Sequence, residues 1–377
     1  MTALPGLQRD GTVFASNRYN DGEWVRFQRG LPRKMGGYTG SFLNATGISR
    51  GMHMSAANGL NYVVSGYSNG LEQWVTDTDN GIGTGPYAYS LSNFTASDVN
   101  LWQFDIGYDS TGGGTNNLVA HPGQNLTAIS STVNTPVLRS VFPGTPGSLT
   151  MSKVGVFTAT GSINGTTTFT LSALNARVGA GQTITGTGIP AGTTVVSVTL
   201  LAVVMSAAAT TTASITATFD NNIAVSGGCV VLHPYLFVYG NNGLIQNSSA
   251  GDFDNWVSAD ANANNTSTGK IVRGLPLRGG SSSPSGLFWS TDSLVRVSFA
   301  PTSAGGQNFY WNYDLISSQT SIMSSQSVIE YDGIFYWTGV DRFLMYNGVV
   351  QEIPNDVNQN YFFDNLNFAQ RQKVWAT

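Results

Sequence analysis

The sequence predicts an all-β chain: a β-propeller-like body with blades of about 50 residues, into which a small β-sandwich or barrel domain is inserted. Three observations predict it. Five short segments repeat one shape, an apolar strand, a polar turn and a second apolar strand; their spacing is regular except for one doubled interval; and that interval holds a stretch of foreign composition.

The five segments read Asn61-Tyr-Val-Val-Ser-Gly with Gly70-Leu-Glu-Gln-Trp; Asn117-Leu-Val-Ala-His-Pro-Gly with Leu126; Pro234-Tyr-Leu-Phe-Val-Tyr-Gly with Gly243-Leu-Ile; Gly286-Leu-Phe-Trp-Ser with Leu294-Val-Arg-Val; and Gly333-Ile-Phe-Tyr-Trp-Thr-Gly with Phe343-Leu-Met-Tyr. Each is a hairpin signal. Val63, Val119, Phe237, Phe288 and Phe335, taken as strand centres, lie about 56, 118, 51 and 47 residues apart, where four-stranded propeller blades run about 40 to 50. The alternative is a large irregular sandwich with unrelated hairpins.

The first fifty residues read as an N-terminal interface region of strand and loop. Gly22-Glu-Trp-Val-Arg-Phe-Gln-Arg alternates as a half-buried strand does. In Gly30-Leu-Pro-Arg-Lys-Met-Gly-Gly-Tyr, Pro32 removes a donor and Gly36-Gly37 permits positive φ, so a tight crossing loop is expected there. Residues 51–147 form the first part of the body.

The insert is expected from Ser148 to Phe219. It holds Lys153 and Arg177 but no Asp or Glu, and it is rich in Thr, Ser, Ala and Gly. Phe157-Thr-Ala-Thr, Thr168-Phe-Thr-Leu, Gln182-Thr-Ile-Thr, Thr194-Val-Val-Ser-Val and Ala213-Ser-Ile-Thr-Ala-Thr-Phe alternate as strands, and Gly186-Thr-Gly-Ile-Pro-Ala-Gly-Thr is a turn between two of them. Residues 220–377 form the second part of the body. A single short helix is expected over Asn355–Leu366, capped by Asn355 or Asp356 with Val357, Tyr361 and Leu366 on its inner stripe. Arg371-Gln-Lys-Val-Trp-Ala-Thr looks like the start of a further strand, which suggests that the native polypeptide continues with more blades.

Composition narrows the class. Of 377 residues, 41% are apolar, enough for real cores, and only 10% are charged, against about 25% in an ordinary soluble domain. Such a neutral surface suits a permanent assembly or an exposed β protein. Cys229 is the one cysteine, so no intrachain disulfide forms, and its apolar neighbours Val230, Val231 and Leu232 mark a core thiol. The opening residues lack a basic segment followed by an apolar one, as expected for synthesis in a reducing cytoplasm, and the apolar run Val195–Ala209 is broken by Ser197, Thr199 and Ser206, so it reads as strands and not as a membrane span.

The net charge of −4 conceals an asymmetry. Arg9, Arg18, Arg26, Arg29, Arg33, Lys34 and Arg50 crowd the first fifty residues against Asp10, Asp21 and Glu23, whereas Arg139 is the sole base from Gly51 to Thr150. The run reads either as a solvated or interface face or as a contact for nucleic-acid phosphate.

No catalytic, cofactor-binding or metal-binding residue is expected. His53, His121 and His233 have no Gly-x-Ser-x-Gly elbow beside them, and neither His-Glu-x-x-His nor Cys-x-x-Cys occurs. Asp77-Thr-Asp-Asn-Gly and Asp260-Ala-Asn-Ala-Asn lack the glycine and the glutamate of a calcium loop and read as turns, as does Gly81-Ile-Gly-Thr-Gly-Pro. Any two of Asp252, Asp254, Asp332 and Asp341 could meet in a cleft about 5 to 10 Å apart, the separation that glycoside cleavage uses.

At the level of motifs, Arg18-x-x-x-Asp-Gly-x-Trp-Val-Arg-Phe followed by Gly30-Leu-Pro-Arg-Lys-Met-Gly-Gly-Tyr resembles the start of bacteriophage head-to-tail proteins. Ile271-Val-Arg-Gly-Leu-Pro-Leu-Arg-Gly-Gly, Gly286-Leu-Phe-Trp-Ser and Ser324-Ser-Gln-Ser-Val-Ile-Glu-Tyr-Asp-Gly-Ile-Phe-Tyr-Trp resemble the propeller of short-tailed-phage nozzle proteins, also called tail tubular protein B or packaged-DNA stabilisation proteins. The Gly-x-Gly-Ile-Pro-Ala-Gly-Thr turn is similar to a module of phage virion proteins. The resemblance implies a non-enzymatic homohexameric ring in the virion tail, below the portal and adaptor, with tail fibre or spike proteins attached and a bore that retains packaged double-stranded DNA and passes it without sequence-specific binding. On that reading Arg26, Arg29, Arg33 and Lys34 serve contacts with the adaptor, Arg273, Arg278 and Arg296 lie near subunit boundaries, and the insert is an outer knob. The family normally continues well past Thr377. Competing expectations are a receptor-binding adhesin with an exposed aromatic sugar site and a polysaccharide depolymerase.

Overall fold

Two-residue turns with positive φ at both central positions set the local pattern. Asn58-Gly59 (φ 52 and 75) joins Met52–Ala57 to Leu60–Tyr67, and Asp332-Gly333 (φ 52 and 79) joins Val328–Tyr331 to Ile334–Thr338. The twist of such a turn matches that of an antiparallel pair, so each seeds a hairpin. In this computed structural model the described residues are all except 1–3, 13–16, 38–43, 78–82, 92–100, 111–113, 125, 128–133, 136, 176, 222–224, 267–268, 279–282, 305–306, 356 and 377.

The chain is all-β, and its body is a succession of antiparallel sheets. The first contains Met52–Ala57, Leu60–Tyr67, Gly70–Asp77 and Gly83–Ala88 in sequence order. The second contains Gln103–Asp109, Thr115–His121, Leu138–Val141 and Thr150–Lys153, with Ser90–Leu91 added in parallel at its edge. The third runs Gly228–Leu232, Tyr235–Tyr239, Leu244–Asn247 and Ala263–Asn265. The fourth runs Ile271–Pro276, Ser285–Ser290, Leu294–Ala304 and Gln307–Ser317, and the fifth Val328–Tyr331, Ile334–Thr338, Phe343–Tyr346 and Val350–Glu352.

Alternation along the strands makes each middle sheet apolar on both faces. Leu118 joins Tyr62, Leu71 and Trp102 in one core, while its neighbour Val119 joins Cys229, Leu236 and Val238 in the next. In the same way Val230, Phe237 and Tyr239 turn toward Phe288, Val295 and Trp311, and Leu287 and Trp289 turn the other way toward Phe335, Trp337 and Leu344. Successive residues of a strand point to opposite faces, so one uninterrupted apolar run serves two cores. Four cores thus tie five sheets in series, and truncation of a side chain such as Trp289, which is fully buried, costs on the order of 3–5 kcal/mol.

The inserted unit is a six-stranded sheet in the order Thr183–Thr185, Thr212–Asp220, Val156–Asn164, Thr168–Leu171, Ala202–Met205, Val195–Thr199. It curls until its outer strands approach, marked by the bridge between Thr183 and Thr194, around a core of Phe157, Phe169, Phe219, Ile184 and Val203. The expected boundary at Ser148 is corrected: Thr150–Lys153 pairs with Leu138–Val141 and with Ser90–Leu91, so it belongs to the second sheet, and the curled sheet spans 156–220.

Four further expectations are corrected. Thr115–His121 pairs with Leu138–Val141, whereas among the described residues Leu126–Thr127 pairs with Asn134–Thr135, because the chain makes an excursion before it returns to the sheet. The crossing loop after Gly30 is instead the strand Leu31–Lys34, since a two-stranded ribbon leaves an outer edge on which Pro32 loses no bond. The helix is shorter, Gln359–Asp364, and its inner face is Phe362 and Phe363 against Phe343, with Leu366 beyond its end. Residues Phe368–Lys373 form a 3-10 helix, and only after it does the backbone extend, where Ala376 donates to the Gln326 carbonyl. The expected cap Asp356 lies outside the described residues; the observed cap comes from far away, as Asp10 accepts from the backbone N–H groups of Asn360 (2.9 Å) and Tyr361 (2.7 Å).

Candidate functional site

The basic run of the N-terminal region forms a ribbon. Val25–Gln28 pairs with Leu31–Lys34 through a turn at Arg29 (φ 53) and Gly30 (φ 79). Arg26 stands opposite Arg33, and with Gln28 and Leu31 they share one face; Val25, Phe27, Pro32 and Lys34 occupy the other. Phe27 rests on Tyr19 at 5.7 Å between ring centroids. Arg26, Arg29, Arg33 and Lys34 are exposed without an ion-pair partner among the described residues, Trp24 is 62% exposed and Leu31 59%. Two like charges placed directly opposite repel, so this face is built at a cost that a covering anion would remove.

The other three predicted arginines lie in the body, in different settings. Arg296 pairs across strands with Asp314 at 2.7 Å; that bond raises the arginine's pKa and holds the carboxyl of Asp314 below its usual value. Arg278, largely exposed, reaches Glu330 at 3.1 Å and links the fourth sheet to the fifth. Arg273 is half-buried on Ile271–Pro276 and serves as an internal counter-charge for Asp105. Burial raises the Asp105 pKa, while the N–H groups of Val231 and Ile106, each at 2.8 Å, and the charge of Arg273 oppose the rise. Beside it Gln103 donates to the carbonyls of Gly227 (2.8 Å) and Val272 (3.0 Å) and accepts from the Tyr239 hydroxyl. This polar seam locks the second, third and fourth sheets together.

The carboxylate candidates separate into a cluster and two isolated groups. Asp332 is the first residue of a hairpin turn, and Asp341 pairs with its neighbour Arg342 at 2.7 Å. Asp252 and Asp254 converge with partners that sequence reasoning missed. Arg139 bridges Asp109 and Asp254, the latter at 2.6 Å, and Arg177 of the insert reaches Asp252 at 3.1 Å and Asp254 at 3.6 Å. The side chains of Asp109 and Asp254 are only 3% and 6% exposed. Desolvation raises the Asp254 pKa, against the opposing charges of Arg139 and Arg177. No spacing signal links residues 109, 139, 177 and 254; only their charge in a sparsely charged chain could have drawn notice. A polar cleft of about 430 Å3 opens beside them, lined by Asp109, Asn117, Arg139 and Ser140 among others. With both carboxylates engaged by arginine, the cluster reads as the anchor of the insert.

His121 is fully buried, and its Nδ1 accepts from the Gly123 N–H at 3.0 Å, so Nε2 carries the proton; burial drives its pKa down to about 3. His53 is likewise lowered by burial, and the Cys229 thiol is buried and pushed well up. Asp260 accepts from the Ser249 hydroxyl (2.9 Å) and the Ala250 N–H (2.9 Å), a turn organiser; the stretch after Asp77 lies outside the described residues. Among the described residues no group of three or more His, Cys, Asp or Glu could hold a metal ion, and no helix is long and apolar enough to cross a membrane.

Two other surfaces are shaped for contact. A cleft of about 270 Å3 between the outer strands of the third and fourth sheets is lined by Asn262, Asn264, Phe309, Tyr310, Trp311 and Tyr313. A cavity of about 180 Å3 lies where the second, third, fourth and fifth sheets converge, with Lys270 and Arg371 in its wall. No protein-family model matches the chain, and no curated protein matches it.

Proposed function

We propose that the protein is a structural component of a short-tailed bacteriophage tail: a nozzle subunit that assembles as a homohexameric ring below the portal and adaptor. Its sheets form a propeller-like arc, the insert projects as a knob for fibre or spike proteins, and packaged double-stranded DNA is retained in the bore and passes at infection. The observation that carries the reading is the basic ribbon. A two-stranded ribbon is marginal in water, and this one keeps four cations and more than half the surface of a tryptophan and a leucine exposed, as a contact arm does before its acidic partner arrives. The few charges elsewhere fit a permanent assembly, and a bore without dense basic lining lets a duplex slide, because phosphate contacts would retard it.

Electron microscopy of the assembled protein, ideally in the virion, tests this. A six-fold ring with an axial bore is expected, and charge reversal at Arg26 and Arg33 should abolish docking while leaving the subunit folded; a monomer or trimer at the tail periphery would overturn the reading. One observation favours a second reading, that of a receptor-binding adhesin: the cleft of four aromatic rings and two asparagines has the apolar faces and amides with which proteins grip sugar rings.

A further inference from the structure

We propose that the cavity where the second to fifth sheets converge is a binding site for a small oxyanion of the phosphate class. Its wall combines Lys270 and Arg371 with the hydroxyl residues Thr291 and Ser325, backbone at Gly123 and Gly227, and an apolar floor at Ile322 and Met323. No carboxylate lines it among the described residues; Asp292 lies outside the lining, engaged with the Ser290 hydroxyl at 2.8 Å.

Four of the polar side chains in its wall, Lys270, Thr291, Ser325 and Arg371, have donors to spare, whereas Ser324 donates to the Val374 carbonyl. Lys270 is half-buried, and its Nζ makes one hydrogen bond, to the Gly123 carbonyl at 3.3 Å, with no acidic partner among the described residues. The Arg371 guanidinium and the hydroxyls of Thr291 and Ser325 have no hydrogen-bond partner among the described residues, although Ser325 is only 8% exposed. Taking an ammonium out of water without a counter-charge is costly, and proteins avoid it unless something pairs with the group. Here two cations and two hydroxyls surround one space, and a tetrahedral oxyanion with several acceptor oxygens satisfies all four at once. Arginine and lysine together suit phosphate, the one as a planar fork and the other as a point charge.

Alongside this geometry, burial lowers the Lys270 pKa, and burial first and the charge of Lys270 second lower that of His121. The volume, about 180 Å3, admits phosphate or pyrophosphate and excludes a duplex. A site at this point touches four of the five sheets, so its ligand would brace those four together.

Titration calorimetry of the full chain with inorganic phosphate and with pyrophosphate, at constant ionic strength, tests the proposal. One saturable site per chain is expected. Arg371→Gln, at an exposed position where folding is not at risk, should weaken binding about tenfold, and Lys270→Met by at least as much. Arg278→Gln, in an ion pair elsewhere, should leave affinity unchanged. Absence of saturable heat with both anions at millimolar concentration, or unaltered affinity in both cavity variants, would overturn the site. Displacement of phosphate by a short DNA duplex would also overturn it, in favour of a nucleic-acid contact.

Discussion

Replacing Arg139 by methionine tests how the insert is held. The guanidinium lies between two carboxylates whose side chains are 3% and 6% exposed, so methionine keeps most of the packing but removes the charge that both face. Removing one partner of a buried ion pair costs about 3–5 kcal/mol, because the partner left behind is charged and dry. Arg177 remains 3.6 Å from Asp254 and shares the load, which places the expected loss near the lower end, about 3 kcal/mol. Urea unfolding followed by tryptophan fluorescence reads it as a shift of midpoint at constant slope.

The pH dependence is a second signature of the same change. The folded pKa of Asp254 already lies above its unfolded value, so the native state holds this proton longer than the unfolded chain does. The contribution of Asp254 to stability is therefore fullest below about pH 4 and is lost as pH rises through its folded pKa. Without Arg139 the folded pKa climbs further and the decline extends to higher pH. Adding Asp254→Asn to Arg139→Met should recover about 1–2 kcal/mol at neutral pH and flatten the profile. A loss below about 1 kcal/mol in the single variant, or a profile unchanged from the parent, would refute the reasoning.

Other perturbations have equally definite outcomes. Asp10→Ala removes the cap on Gln359–Asp364 and should cost about 1 kcal/mol locally, seen as faster hydrogen exchange at Asn360 and Tyr361. Gly66→Ala places a Cβ 2.2 Å from the Trp102 ring and within 2.7 Å of three of its atoms; overpacking of about 3 kcal/mol or more should appear as a lowered melting temperature and altered Trp102 fluorescence. His121 has its folded pKa near 3, below the unfolded value of 6.5, so the unfolded chain takes up the proton first and stability falls as pH drops from 6.5 toward 3. His121→Gln should flatten that limb of the stability curve.

Much of the fold is legible because the strands of the middle sheets are buried on both faces: Tyr235–Tyr239 and, within Ser285–Ser290, the stretch Leu287-Phe288-Trp289 stand out as unbroken apolar runs. Hairpins with Xaa-Gly turns are equally visible, whereas the partner of Thr115–His121 is hidden behind an excursion whose length the local pattern does not encode. The ribbon at 25–34 was masked by Pro32, which signals a loop unless one knows that its edge is free. Charges were the least legible. Arg273 resembles a surface residue until Asp105 is placed beside it, and the Arg139 cluster gathers residues from two sheets and the insert. Such contacts depend on tertiary geometry, on which sequence spacing is silent.

The doorway to the inserted sheet has a consequence for how this chain can change. Val156 and Asp220 stand opposite each other as the first and last residues of a nine-pair ladder, so the chain departs and returns about 5 Å apart. To the sheets on either side, the entire excursion is equivalent to a hairpin turn. Its length, sequence and even its fold can therefore drift, be exchanged or be lost over generations while the surrounding architecture inherits the same two anchor points, and the arginine clasp at 177 is a charged contact that a replacement would have to reinvent or do without.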